Sequence, residues 1–176
     1  MDNNLIAFAK TNKMMLKIFK DTYTPGDNIK LGHILCWSLK YSIGDSNPYE
    51  SSKEALEDLE MKNIIMLPIY LTLKNNKVQL NYIENGTYIG FIYVGKNEIK
   101  KHFNVKKISQ HIKNKVIKVL KEEVNKYSYY LNGNVYGFTL EDNNGNIVNS
   151  LWGILGTVNN IKNYLPSNLA ANLIYF

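Results

Sequence analysis

Few residues in this chain have the chemistry to bind a metal, and their spacing is poor. The only imidazole or thiol ligands are His33, Cys36, His102 and His111. His33 and Cys36 are three residues apart, so they would share one face of a helix but point to opposite faces of the strand that we predict there. We therefore expect no metal site, with His33 and Cys36 serving as core residues.

Motifs for catalysis or nucleotide binding are equally weak. Cys36 lies between apolar neighbours, which favours a buried, unreactive thiol over a nucleophile. Gly90 and Gly95 lack the spacing of a dinucleotide-binding loop, and the sequence contains no Walker motif. Glu141 and Asp142 directly precede an Asn-Asn-Gly turn and are typical of a solvated hairpin tip. We expect neither an enzyme nor a cofactor.

The charge distribution is more informative. All 21 basic residues are lysine, and without the planar fork of arginine, sequence-specific reading of a DNA major groove is disfavoured. Residues 96–126 hold ten lysines against three acids, a net charge of +7, whereas residues 45–60 hold six acids against one lysine, a net charge of −5. Such an asymmetric molecule is steered toward charged partners.

Hydrophobic patterns predict the elements that carry these charges. We predict strands at residues 14–20 and 31–39, separated by a turn at residues 24–27, and a helix from Ser51 or Ser52 to about Met61. Residues 64–73 form a third strand, in which Pro68 indicates an edge position or a bulge.

Turn signals divide the middle of the chain into hairpins. Asn75-Asn76 and Asn85-Gly86 predict two successive hairpins, which would link residues 64–73, 78–82 and 87–94 as three antiparallel strands. A short lysine-rich helical turn follows near residues 96–103.

The strongest helix signal begins at Ser109. Apolar residues recur at helical spacing up to Leu131, and Asn132-Gly133 ends the helix. Residues 135–140 and 147–152 then form a last hairpin, and two short helices close the chain. Without an internal repeat or a linker, we predict one globular domain over residues 1–176, of the α+β class, with antiparallel hairpins in a twisted sheet packed on one long amphipathic helix.

The long helix is the main candidate for a binding surface. Its lysines lie opposite the apolar stripe and could follow a phosphate backbone, face solvent, or meet an acidic protein. The tyrosines Tyr127, Tyr129 and Tyr130 could stack on unpaired bases or pack in the core. The candidate binding residues are Lys106, Lys107, Lys113, Lys115, Lys118, Lys121 and Lys126. The alternative acidic patch is Glu50, Glu54, Glu57, Asp58 and Glu60.

Several motifs, taken in order, resemble those of a family of small proteins encoded by phages and mobile elements of low-GC bacteria. They are LKYSIGD at residues 39–45, MLPIYL at 66–71, IGFIYV at 89–94, NVYGF at 134–138 and SLWG at 150–153. The resemblance covers roughly residues 30–155. Residues 72–76 and 84–87 replace the polar turns that the family usually carries, so the resemblance implies no catalytic residue here.

The resemblance implies a mobile-element origin, and small phage proteins without catalytic motifs often act by binding host machinery. Our first hypothesis is a non-enzymatic inhibitor of bacterial defence, of the anti-CRISPR type, that binds an RNA-guided nuclease complex or its RNA. The alternatives are a nucleic-acid-binding accessory protein of phage or plasmid maintenance and a sponge for a nucleotide immune signal. No apolar run approaches the length of a membrane span or of a secretory signal, so we expect a cytoplasmic protein with no membrane partner.

Overall fold

The structure is a computed structural model that describes residues 4–22, 31–41, 43–60 and 64–176. The chain divides into two compact units, the first formed by residues 1–26 and 129–176 and the second by residues 27–128. Each unit contains one antiparallel sheet together with helices, which confirms the α+β class. The single domain over residues 1–176 stays a prediction.

The first unit contains a five-stranded sheet in which the two ends of the chain meet. Its strand order is β8-β7-β2-β1-β9. The strands are β1 (Leu5–Lys10), β2 (Met14–Lys20), β7 (Val135–Asp142), β8 (Ile147–Leu155) and β9 (Ile174–Tyr175). The predicted 14–20 strand and the last hairpin are confirmed, whereas β1 and β9 were not predicted.

The core of the first unit lies on one face of this sheet. Leu16 and Ile18 of β2 are fully buried, and they alternate with residues that point to the opposite face. Two short helices, α4 (Val158–Ile161) and α5 (Ser167–Ala170), cover the buried face, with a 3₁₀ turn at Lys162–Tyr164 between them. These are the two closing helices predicted from the sequence.

The second unit contains a four-stranded sheet and three helices. Its strand order is β3-β6-β4-β5. The strands are β3 (His33–Cys36), β4 (Ile64–Lys74), β5 (Lys77–Asn81) and β6 (Thr87–Gly95). The helices are α1 (Ser52–Glu60), α2 (Lys96–Phe103) and α3 (Gln110–Leu131), whose last three residues belong to the first unit.

The pairing of β6 differs from the prediction. Asn75 and Asn76 have φ angles of 51° and 58° and close the tight β4–β5 hairpin as expected. The Asn85-Gly86 signal was wrong as a hairpin between β5 and β6, because β6 pairs with the other side of β4. Residues 70–74 of β4 pair with β5 on one edge, and residues 64–71 pair with β6 on the other. The chain at residues 82–86 connects β5 to that other edge.

The prediction of one sheet was also wrong, because the strands form two separate sheets. The β1–β2 hairpin pairs through β2 with β7, along seven residue pairs, and not with the middle strands. A turn signal reports the pairing of strands that are close in sequence, and it carries no information on which hairpins then associate.

Pro68 lies in the part of β4 that β5 does not reach, next to a register shift at Ile69, as predicted. The α1 helix begins as predicted, with Ser51 Oγ accepting the Glu54 N–H at 3.3 Å. The 24–27 turn and Met61 lie outside the described residues. Within the described ranges, no helix is long and apolar enough to span a membrane.

Helix α3 packs closely in the second unit. Val116, Leu120 and Val124 are fully buried, and burial of a leucine side chain contributes about 2 kcal/mol. A Cβ atom on Gly32, just before β3, would lie 2.5 Å from a methyl carbon of Leu120. The helix ends at Leu131, two residues before Gly133, whose φ of +64° is the left-handed conformation that glycine adopts without strain.

One buried charge fixes this packing. Glu123 of α3 is only 5% exposed, and its two carboxylate oxygens accept the backbone N–H groups of Leu31 at 2.7 Å and Gly32 at 2.9 Å. Burying a carboxylate is costly unless its oxygens are paired, and hydrogen bonds to a charged acceptor are the stronger kind. Glu123 therefore joins α3 to the start of β3.

We predict that Glu123→Gln lowers the free energy of unfolding by about 2 kcal/mol, because the amide offers one acceptor where the carboxylate offers two and turns a donor toward a backbone N–H. Urea unfolding followed by circular dichroism measures this. The control is Glu122→Gln, which replaces the exposed carboxylate of the neighbouring residue and should change the free energy of unfolding by less than about 0.5 kcal/mol. Equal stability of the two variants would contradict a clamping role for Glu123.

Candidate functional site

The seven candidate lysines, which we call the lysine surface, all lie in the second unit between the end of α2 and the last turns of α3. Six of them are exposed, and Lys121 is half-buried. The members are Lys106, Lys107, Lys113, Lys115, Lys118, Lys121 and Lys126.

The exposure of these lysines follows from the buried stripe of α3. Positions 116, 120, 124 and 127 recur at three- and four-residue spacing and face the core. Helical geometry then places Lys115, Lys118 and Lys126 together on the opposite side. Tyr127, at 5% exposed, belongs to the core and cannot stack on a base, whereas Tyr129 and Tyr130 are half-buried.

The acids of this segment do little to neutralise the surface. Glu123 is buried against backbone N–H groups, and Glu98 is bound to His33 and to the Gly95 N–H. Only Glu122 lies beside the lysine surface, with an oxygen 4.0 Å from Lys118 Nζ, in an exposed pair of the kind that stabilises by less than about 1 kcal/mol.

Individual lysines differ in the contacts that their ammonium groups form. In the described part of the chain Lys113, Lys115 and Lys126 form no ion pair. Lys121 Nζ lies 4.3 Å from the ring centroid of Tyr82, so a cation–π contact holds it against the body of the unit. The most available charges on α3 are therefore Lys113, Lys115 and Lys126, followed by Lys118.

The start of α3 adds to the positive potential. Its first turn contains no acidic residue, and Ser109 Oγ accepts the Ile112 N–H at 3.4 Å. Helix N-termini carry a partial positive charge from unpaired backbone N–H groups. Lys106 and Lys107, in the connection between α2 and α3, and Lys113 in the first turn thus lie close in sequence to a positive helix end.

The alternative acidic patch is less available than its composition suggests. Glu54 accepts the Glu50 N–H at 2.9 Å as part of the helix cap, and Asp58 accepts the Tyr49 hydroxyl at 2.7 Å. Glu57 lies 3.9 Å from Lys53. Glu50, Glu54 and Glu57 are exposed, Asp58 is half-buried, and the side chain of Glu60 lies outside the described part.

His33 is not the core residue that the sequence predicted. Its Nε2 lies 2.7 Å from Glu98 Oε1, its Nδ1 lies 3.7 Å from Asp45 Oδ2, and its side chain is 44% exposed. The same two carboxylates accept the N–H groups of Gly95 and Ile34. These contacts of His33 connect the start of β3 to the start of α2. His33 is partly exposed because it is the first residue of the strand and lies at the surface of the sheet. Within the described ranges, no three or more His, Cys, Asp or Glu side chains are arranged to hold a metal ion.

An open depression of about 630 Å³ lies on the first unit. Lys10, Glu141 and Asp142 are among its lining residues. Asp142 accepts hydrogen bonds from Asn146, which lower the pKa of its carboxyl, so it is charged at neutral pH.

No family model, curated protein or solved structure matches this chain. The resemblance to phage and mobile-element proteins therefore stays an expectation, and functional arguments depend on the residues themselves.

Cys36 is a half-buried free thiol. Burial raises the pKa of its thiol, and a hydrogen bond from the Ser38 N–H opposes that rise only in part. We expect iodoacetamide at pH 8 to alkylate Cys36 several-fold more slowly in the folded protein than in urea, since only the thiolate reacts. Mass spectrometry can follow the single cysteine. Faster alkylation in the folded protein than in urea would contradict this prediction and support a nucleophilic role for Cys36.

Proposed function

We propose that the protein is a non-enzymatic inhibitor of bacterial defence, encoded by a phage or mobile element, that acts in the host cytoplasm. In this proposal the lysine surface binds the RNA phosphate backbone of an RNA-guided nuclease complex. The observation that supports it is the exposure of Lys113, Lys115, Lys118 and Lys126 along a single helix whose nearby acids are largely engaged elsewhere.

Lysine chemistry favours the phosphate backbone over the bases. Each lysine offers a mobile point charge that neutralises a phosphate and releases its counterion, without the bidentate geometry that reads base edges. An inhibitor that blocks a nucleic acid already bound in a complex, one copy per complex, does not need to recognise individual bases. It needs a surface that competes for backbone, and the stretch of α3 from Lys113 to Lys126 provides one about 20 Å long.

The second candidate is a general nucleic-acid-binding accessory protein. The same lysines support it, because a backbone contact does not by itself distinguish one RNA from another. The two functions differ in their targets: an inhibitor binds the purified nuclease complex more tightly than free RNA of equal length, whereas an accessory protein binds free DNA and RNA with similar affinity.

We predict that the triple variant K115E/K118E/K126E binds the nuclease–RNA complex and its free guide RNA roughly a hundredfold more weakly, by about 3 kcal/mol. Its folding should be nearly unchanged, because all three side chains are exposed. Fluorescence anisotropy with labelled guide RNA, repeated at several salt concentrations, gives both the affinity and the salt dependence, which should become flatter.

The matched control is K53E/K74E/K77E, which makes the same change in net charge at three exposed lysines outside the lysine surface. It should lose far less affinity, since only long-range attraction is reduced. Full inhibition by the folded K115E/K118E/K126E variant would refute the proposal and direct attention to the acidic helix α1.

A further inference from the structure

Four aromatic side chains that are not part of the candidate site lie on the sheet of the first unit. Phe8 stacks on Phe176 with ring centroids 5.5 Å apart, and Phe19 stacks on Trp152 at 5.7 Å. We call these four side chains the aromatic face. They come from the start and the end of the chain and meet only because β1 and β2 pair with β9 and β7.

Strand register places the aromatic face opposite the core of its unit. Phe8 pairs with Lys17, Lys17 pairs with Thr139, and Phe19 pairs with Gly137. The residues that alternate with these along β1, β2 and β7 are buried in the core beneath α4 and α5. The aromatic rings therefore lie on the face of the sheet away from these helices.

Gly137 creates the space for the indole ring. A Cβ atom at this position would lie 2.1 Å from Cε3 of Trp152, so any side chain would displace the ring. With glycine there, the indole crosses β7 and reaches Phe19 on β2. Trp152 remains 49% exposed and Phe176 78% exposed, far more than core aromatic residues.

The centre of this face is polar, which decides between the classes of partner. Lys17 forms an ion pair with Glu141 at 2.8 Å, and Thr139 and Ser150 are paired in register beside it. The hot spot of a protein–protein interface is usually an apolar centre with a polar rim. Here two separate pairs of aromatic rings surround a polar centre. A single strand of nucleic acid offers matching groups, because its bases stack on aromatic rings and its sugar–phosphate chain is polar.

Two lysines near the face can contact the phosphates of this partner. Lys10 follows Phe8 by two residues on β1, and Lys13 lies in the β1–β2 turn. Both are exposed, and in the part of the chain that the structure describes neither forms an ion pair. Backbone phosphates held near these lysines would leave neighbouring bases free to stack on exposed rings.

We infer that the aromatic face binds unpaired bases of single-stranded RNA, with Trp152 and Phe176 as the stacking groups and Lys10 and Lys13 as phosphate contacts. The inference rests on the proposed function in taking nucleic acid as the ligand, and it adds that the ligand is single-stranded. Stacking tolerates any base, so this contact adds affinity without strict sequence preference.

The test compares a fluorescein-labelled 15-nucleotide oligouridine with a 15-base-pair RNA duplex. We expect Trp152→Ala to weaken binding of the single strand about tenfold and to leave duplex binding unchanged. Trp152→Phe keeps an aromatic ring and should restore most of the affinity. Thermal unfolding of both variants checks that the sheet is intact.

Fluorescence gives a second readout that does not depend on a disruptive variant. The chain has two tryptophans, and Trp37 lies in the other unit. In a Trp37→Phe variant, the emission of Trp152 should be quenched as oligouridine is added and remain constant with the duplex. Unchanged emission at oligouridine concentrations that saturate binding would overturn the inference.

The outcomes separate this inference from the proposed function. If K115E/K118E/K126E abolishes binding to the nuclease–RNA complex while Trp152→Ala changes nothing, the proposed function stands and the aromatic face is not a stacking site. If Trp152→Ala instead weakens binding to nuclease protein freed of RNA, the face docks a protein and the inference is wrong. If the wild-type protein binds no oligouridine, the inference is also wrong, whatever binds the lysine surface.

Discussion

The carboxylate of Glu123 is the constraint on which the second unit depends. It is buried, and its two oxygens accept two backbone N–H groups at the entry to β3. Only one rotation of α3 about its axis brings this side chain to those two donors. The same rotation buries Val116 and Leu120 and directs Lys115 and Lys118 to solvent. The charge pattern of the surface thus follows from a polar contact in the interior.

Elements with a strong local signal could be predicted from the sequence. The boundaries of α2 and α3, the Asn75-Asn76 turn and the 135–152 hairpin all follow from periodicity and turn chemistry within a few residues. The pairing of β6 with β4 and the division into two sheets could not be predicted, because they depend on contacts between residues far apart in sequence. The β1 strand has an apolar run over residues 5–9 that could have revealed it.

The residues of the candidate site also divide into those that could be predicted from local sequence and those that could not. Exposure of Lys115, Lys118 and Lys126 follows from the 3.6-residue period alone. The spacing of Glu123 from Leu120 could have indicated its burial, since it falls at the edge of the apolar stripe, but its partners at positions 31 and 32 could not be identified. The aromatic face required strand register, because Phe8 and Phe176 are at opposite ends of the chain.

Lysine acetylation footprinting tests most directly the proposal that RNA covers the lysine surface. The protein is treated briefly with an acetylating reagent, free or bound to the nuclease–RNA complex, and modification of each lysine is quantified by mass spectrometry. The account predicts protection of Lys115, Lys118 and Lys126 on binding, with Lys53, Lys74 and Lys77 modified equally in both states. Equal modification of Lys115, Lys118 and Lys126 in the free and bound protein would contradict it.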